Sequence, residues 1–273
     1  MGDSRLAKWF IRAELEALRG MAELTPGGLA ELLGYTTQSI MNWETGVNVP
    51  RRSVVKDICD VAGAEESRKR FLLFVVDNYK KPDLVANLHT RNVRMVEQGE
   101  RTAGDIFKFE PEFIPGPLQL PSYHNEVLSD EGQHSEFISS ALKRKLRRGR
   151  LLESRRDLPQ IQVLIGYNAL RHLRFMVQWE RQIEVLLAAS ERPNWEIRVI
   201  DGLHRASRGN FDLYKPGNSP EAGPAFVYTE SLDQSRYLED AVTVRWYDQL
   251  RSEIWDMGEP IKETFSGGIQ LLA

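Results

Sequence analysis

Several features that mark particular protein classes are scarce or missing in this sequence. Only one cysteine, Cys59, occurs among 273 residues, which excludes a disulfide framework or a cysteine zinc cluster within one chain. Its apolar helical surroundings predict a buried thiol. No apolar run approaches the roughly 18 residues of a membrane span, and the first ten residues lack the apolar core of a signal peptide. We therefore expect a cytoplasmic protein with no membrane partner.

Signatures of catalysis are also missing. The five histidines form no HExxH or paired-ligand spacing, and the sequence has no G-x-S-x-G, Walker or G-x-G-x-x-G motif. We expect no metal, no cofactor and no enzymatic activity. An acid, a base and a cation come together only in Asp201-Gly202-Leu203-His204-Arg205, for which an exposed polar turn is the favoured interpretation. Aromatic side chains of the second half predict core packing, with an effector pocket as the alternative: Tyr214, Phe226, Tyr228, Tyr237, Trp246 and Tyr247.

Neither basic nor acidic residues are in large excess. The chain has 36 basic and 39 acidic residues and a net charge of −3. Affinity for nucleic acid could then come only from local placement of Lys and Arg. The densest basic stretch is Lys143 to Arg150. We interpret it as a solvated helix face with Leu142 and Leu146 inward, and contact with DNA phosphate or with an acidic partner is the alternative.

Residues 24–44 contain the most informative pattern. Thr25 and Pro26 predict a helix start, and Gly34 follows where that helix must stop, because a tight turn there needs a residue that tolerates positive φ. The first helix presents an apolar face of Leu29, Ala30, Leu32 and Leu33. Thr36 or Thr37 caps a second helix, with Ile40 and Trp43 inward and short polar side chains outward. This spacing predicts a helix-turn-helix, whose second helix enters the major groove of DNA.

The stretch from Gly34 to Gly46 resembles the G-x-T/S-x-x-x-I-x-x-x-E-x-G recognition-helix pattern of the lambda/434 repressor and Cro type of regulator, the XRE family. The resemblance implies base reading near the start of the second helix and phosphate contact from the loop that follows. The implied DNA-binding residues are Thr36, Thr37, Gln38, Ser39, Asn42, Asn48, Arg51 and Arg52. An ordinary helical hairpin is the alternative interpretation.

Periodicity elsewhere predicts a chain with two domains. Five short helices fill residues 1–82. Residues 83–104 are predicted to be a polar linker, most of which is a helix over residues 83–98. Alternating strands and amphipathic helices follow in 105–273, among them a helix from His134 to Glu153 and a loose or partner-docked tail from residue 266. The predicted fold class is an all-α helix-turn-helix domain followed by an α+β domain with a small, mostly antiparallel sheet.

The second domain carries a resemblance of its own. Residues 109–119, with Tyr123, are similar to the E-x-x-x-V-P-G-L-L-Q-T-x-x-Y signature of actinobacterial WhiJ-like regulators, and residues 186–200, 209–211 and 227–230 resemble three further segments in the same order. The resemblance implies a transcriptional regulator, in some members a repressor, often encoded beside a small partner protein in an antitoxin-like arrangement. Homodimerisation through this domain is expected, because one helix-turn-helix reads only a half-site.

Two hypotheses of function therefore stand beside each other. The first is a sequence-specific repressor that binds double-stranded operator DNA as a homodimer and senses a small partner protein or small-molecule effector through its second domain. The alternative is an antitoxin-like protein that mainly sequesters a small partner protein, with DNA binding secondary. The sequence does not give the operator, the effector or the direction of regulation.

Overall fold

The structure, a computed structural model, describes residues 2–90, 92–128 and 135–266. The chain forms two compact units, one of Met1–Gln98 with Gly223–Val244 and the other of Gly99–Ala222 with Arg245–Ala273. An N-terminal helical region precedes a part with helices and strands whose pairs are mostly antiparallel, which confirms the predicted fold class. Within the described ranges, none of the helices combines the length and apolarity needed to cross a membrane.

Short amphipathic helices build the beginning of the first unit. They are α1 (Arg5–Met21), α2 (Pro26–Leu33), α3 (Thr37–Glu44), α4 (Arg52–Val61) and α5 (Glu66–Asn78). Side-chain caps fix where the first three begin: Ser4, Thr25 and Thr36 each accept a hydrogen bond from a backbone N–H in the first turn. Gly34 ends α2 at φ +72°, as the turn chemistry predicts. The helix-turn-helix geometry is therefore encoded largely by local signals.

Three strands complete the first unit. β1 (Asp83–Asn87) pairs antiparallel with β7 (Gln234–Leu238), which in turn pairs antiparallel with β6 (Phe226–Glu230). Aromatic contacts join these strands to the helices: the rings of Phe71 and Tyr237 lie 5.9 Å apart, and those of Trp9 and Phe226 lie 6.3 Å apart. These contacts explain why residues 223–244, distant in sequence, belong with the N-terminal helices.

The predicted helix over residues 83–98 is wrong in its first half. Residues 83–87 form β1, and the helix α6 begins only at Arg94 and ends at Thr102. Leu84 and Ala86 are buried whereas Val85 and Asn87 are exposed, which is the period of two that a half-buried strand requires. The polar composition that favoured a linker helix hid this alternation, and the strand is part of a compact unit rather than a linker.

The second unit is built on five strands in the order β5–β2–β3–β4–β8. The central strands β2 (Ala103–Glu110), β3 (Gln160–Gly166) and β4 (Trp195–Ile200) are parallel, while β5 (Phe211–Pro216) and β8 (Glu259–Pro260) flank them antiparallel. Helices connect the parallel strands, as parallel pairs require. They are α7 (Pro121–Leu128) and α8 (Ser135–Ser154) before β3, then α9 (Tyr167–Leu173) and α10 (Trp179–Ser190) before β4.

Two further helices, α11 (Ala241–Met257) and α12 (Ile261–Thr264), are the last in the described residues. The helix predicted from His134 begins at Ser135 in the structure, and His134 itself lies outside the described residues. From residue 267 onward, the predicted loose tail also lies outside the described residues.

Candidate nucleic-acid interface

The outward face of α3 carries the polar row predicted for base reading. Thr37 and Gln38 are exposed, Asn42 is half-buried, and Met41 is exposed among them. Behind this row Ile40 is buried with 1% of its surface exposed. Trp43, predicted to point inward, is only half-buried, and its ring meets the exposed Tyr35 edge-on at 5.1 Å.

Hydrogen bonds divide the row into two kinds of side chain. The Thr36 hydroxyl accepts from the Ser39 backbone N–H at 3.1 Å and lies 2.9 Å from the Ser39 hydroxyl, so both hydroxyls serve the helix cap. One turn further, the Gln38 side-chain amide donates to Asn42 Oδ1 at 2.9 Å. The side chains of Thr36 and Ser39 are thus occupied by the fold, whereas Gln38 and Asn42 carry further donors and acceptors toward solvent.

A guanidinium–carboxylate pair fixes the far end of α3. Arg19, on α1, donates from Nε to Glu44 Oε1 at 2.7 Å and from Nη2 to Oε2 at 3.0 Å, and its Nη1 reaches the carbonyl of Leu24 at 2.9 Å. Hydrogen bonding to Glu44 raises the pKa of Arg19, against the opposing effect of burial. Sequence reasoning included Glu44 in the motif but missed Arg19, because the two lie 25 residues apart and no local period links them.

The three residues predicted beyond α3 differ in their surroundings. Asn48 is exposed, and its backbone N–H donates to the Asn42 carbonyl at 3.3 Å. Arg51 is exposed at the start of α4, and no contact of its guanidinium is found within the described ranges. Arg52 is exposed too, but it pairs with Asp77 and also donates to the Leu73 carbonyl at 3.3 Å.

The basic run of α8 is not a uniformly solvated face. Arg148 is buried and donates to both carboxylate oxygens of Glu100 at 2.7 Å, whereas Leu146, predicted to point inward, is 36% exposed. Lys145 donates to Gln119 Oε1 at 2.6 Å. The interpretation of this run as solvated is therefore corrected, because a buried carboxylate holds its central arginine.

Glu100 is the centre of a buried charge cluster in the second unit. Lys108 Nζ lies 2.9 Å from Glu100 Oε1 and 2.7 Å from Asp212 Oδ2, and it donates to the Tyr214 hydroxyl at 2.8 Å. Burial alone would raise the pKa of Glu100, but the charges of Arg148 and Lys108 lower it to about 2. The carboxylate therefore stays ionised, and each charged group here has a partner.

The residues at 201–205 do not converge on one point. Asp201 accepts from the backbone N–H of Gly202, the His204 ring packs against Phe109 at 5.5 Å, and the Arg205 guanidinium lies over Trp246 at 5.5 Å. Burial lowers the pKa of His204. Of the aromatic residues weighed as a pocket lining, Tyr214 and Tyr237 are 1% exposed and belong to the cores of different units.

Comparison with known proteins agrees with the architecture of the first unit. A family model described as a helix-turn-helix domain matches residues 11–72, in agreement with the fold of that range. Domains of this class are typical of DNA-binding regulators. A second model, described as Domain of unknown function (DUF5753), matches residues 93–266. The chain belongs to this DUF5753 family.

Among solved structures the chain is similar to TrmBL2, described as an archaeal chromatin protein with a novel mode of DNA binding, at 11% identity, with 87% of this chain and 88% of that chain covered and a TM-score of 0.33. A likeness this low carries no argument about function. No curated protein matches the chain.

Proposed function

We propose that the chain is a sequence-specific DNA-binding regulator of transcription, acting as a repressor, in which α3 enters the major groove. The observation that supports this most is the exposed polar row of α3 on a helix held at both ends. Its N-terminus is capped by Thr36, and its C-terminus is tied to α1 through Glu44. A rigid backbone lets short side chains meet base edges at a fixed depth.

Phosphate contact in this proposal comes chiefly from Arg51. A chain of net charge −3 has no bulk attraction for DNA, so individual cations near α3 must supply the sequence-independent affinity. Arg51 is exposed and without a contact in the described part of the molecule, whereas Arg52 pairs with Asp77. The two adjacent arginines thus form a matched pair for experiment.

The test is binding affinity as a function of salt concentration for Arg51→Ala and Arg52→Ala. We expect Arg51→Ala to weaken binding to all sequences and to flatten the slope of log K against log salt by about 0.9, the value for one phosphate contact. For Arg52→Ala we expect a smaller change in slope, because the Asp77 carboxylate already neutralises this side chain. Unchanged slopes for both variants would count against DNA binding through this surface.

A homodimer is part of the proposal, since one recognition helix reads a half-site. Two copies of α3 would contact half-sites about 34 Å apart, one turn of the DNA. Sedimentation of the full chain with and without DNA tests this, and we expect two chains on each operator. One chain bound to a site without two-fold symmetry would contradict the dimer.

The second unit offers a surface for the expected partner protein. Phe175 and Val177, in the loop between α9 and α10, are 74% and 69% exposed. This loop is held in place, because the Val177 backbone N–H donates to the Glu126 carboxylate at 3.0 Å. Neighbouring exposed apolar side chains can belong to a protein-binding patch, and this loop is therefore the proposed site of partner sensing or, as the alternative function, of antitoxin-like sequestration.

Co-purification with the product of the neighbouring gene tests this second role. We expect the double variant Phe175→Ser, Val177→Ser to lose the small protein. Leu203→Ser is the matched control, since Leu203 is apolar and 96% exposed in another loop of the same unit. Equal retention of the small protein by wild type, the double variant and Leu203→Ser would refute the docking site.

A further inference from the structure

The side-chain amides of Gln38 and Asn42 lie on the same face of α3, one turn apart, and are hydrogen-bonded to each other. We propose that this amide pair reads adenine in preference to guanine in the major groove, with Gln38 contacting the base and Asn42 acting as its positioning residue. The proposal rests on the proposed function, since it presumes that α3 meets base edges.

The preference follows from the groups that remain free on Gln38. A glutamine amide has one acceptor oxygen and two N–H donors. One N–H donates to Asn42 Oδ1 at 2.9 Å, which leaves Oε1 and a single N–H for the DNA. The free groups are thus one acceptor and one donor.

Adenine and guanine differ in what they offer to such a pair. Adenine presents an acceptor, N7, and a donor, the N6 amino group, in the major groove, which match one donor and one acceptor. Guanine presents two acceptors, N7 and O6, and would need both N–H groups of Gln38. A bidentate contact with guanine would require Gln38 to give up its bond to Asn42, whereas a single contact from the remaining N–H makes one hydrogen bond fewer than the contact with adenine.

Few other groups of α3 can discriminate adenine from guanine, since the exposed Thr37 hydroxyl can both donate and accept. The Thr36 and Ser39 hydroxyls are engaged in the cap, and Met41, although exposed, carries no strong hydrogen-bonding group. Because a helix places residues i and i+4 on one face, Asn42 can restrain Gln38 without a change in the backbone. A good bidentate pair discriminates against the wrong base by about 5- to 150-fold.

The experiment is selection of the full-length protein on a randomised double-stranded DNA library, followed by sequencing. Wild type is compared with Gln38→Ala, Asn42→Ala and Asn42→Asp. Asn42→Asp is the matched control, because its carboxylate keeps the acceptor that Gln38 needs while the substitution removes the donors of Asn42 and adds one negative charge. Adenine-to-guanine ratios are taken within each variant, so a general loss of affinity from the added negative charge does not enter. Thermal unfolding verifies that each variant is folded.

We expect one adenine position in each half-site that Gln38→Ala loses. Asn42→Ala should lower the adenine-to-guanine ratio there by about tenfold, whereas Asn42→Asp should retain it. An unchanged ratio in Asn42→Ala, or an equal fall in Asn42→Asp, would overturn the role of the amide pair while leaving sequence-specific binding intact. A wild-type protein that selects no sequence would overturn the proposed function and this inference together.

Discussion

The pair between Arg19 and Glu44 gives a sharp prediction, because it ties α3 to α1 through two charge-assisted hydrogen bonds. We consider Glu44→Ala, which removes both acceptors, and Glu44→Gln, which leaves one neutral acceptor. The two side chains are only 18% and 11% exposed, so water replaces the lost bonds of Arg19 incompletely. Both variants should loosen α3 without touching a residue of the polar row.

The free energy lost when the Arg19–Glu44 pair is removed should lie between two limits. Exposed ion pairs contribute about 0–1 kcal/mol, and breaking a fully buried pair costs about 3–5 kcal/mol. With two charge-assisted bonds in a mostly buried setting, we expect about 2 kcal/mol for Glu44→Ala and about half of that for Glu44→Gln. A double-mutant cycle with Arg19→Ala should give a coupling energy of about 1–2 kcal/mol.

Hydrogen exchange of the α3 amides is the appropriate assay, because it reports local opening within a chain that has two units. Exchange should accelerate in α3 and remain unchanged in the strands of the second unit. The ratio of operator to random-DNA affinity should also fall, since base reading needs a fixed helix and phosphate contact does not. If α3 exchange in Glu44→Ala equals that of wild type, the assignment of this pair as a clamp is refuted.

Two further changes test other parts of the structure. In a urea titration, Gly34→Ala should destabilise the first unit by about 1 kcal/mol, because φ is +72° although a Cβ would meet no neighbouring atom. Gly20→Ala is the control: this glycine lies within α1 and is equally unobstructed, so its substitution should be neutral or stabilising. Glu100→Gln should cost about 3–5 kcal/mol at pH 7, measured by exchange of the β2 amides, because it leaves Arg148 buried without a carboxylate. Because the folded pKa of Glu100 is lowered from 4.5 to about 2, its stabilisation is complete above pH 4.5 and lost as pH falls toward 2. Glu100→Gln should lack that part of the acid dependence, and identical acid profiles would contradict the cluster.

Local signals predicted the helix-turn-helix well. Thr25, Gly34 and Thr36 act within one turn of their own positions, so their capping roles can be deduced without tertiary structure. Leu32 shows the limit of that reasoning, because it is 59% exposed although it was predicted to lie on the buried face. At about 100° per residue, Leu29 and Ala30 set the buried direction and Leu32 is turned well away from it.

Pairings distant in sequence could not be predicted. Lys108 in β2 meets Asp212 in β5, 104 residues later, and Arg148 meets Glu100, 48 residues earlier. Charge patterns along α8 and β2 carry no information about those partners. The buried cluster was therefore not predicted, and the basic run was wrongly predicted to be a solvated face. Such charges are buried only because opposite charges and hydrogen-bond donors lie within 3 Å.

The parallel pairing at the centre of the second unit could have been predicted from the sequence. Strands β2, β3 and β4 are separated by helices that were predicted individually, and a strand–helix–strand succession favours parallel pairing. The prediction of a mostly antiparallel sheet remains correct for the flanking pairs and for the strands of the first unit. The weakly alternating β1 was missed because its polar flanks resemble those of a surface helix.

Footprinting of the full-length protein on the DNA upstream of its own gene, with Gln38→Ala beside wild type, tests base reading by α3 most directly. Wild type should protect two half-sites about one helical turn apart, and Gln38→Ala should lose about 1–3 kcal/mol of affinity for them while binding random DNA as before. Equal losses of affinity by Gln38→Ala on operator and random DNA, or no protected site for wild type, would contradict base reading by α3.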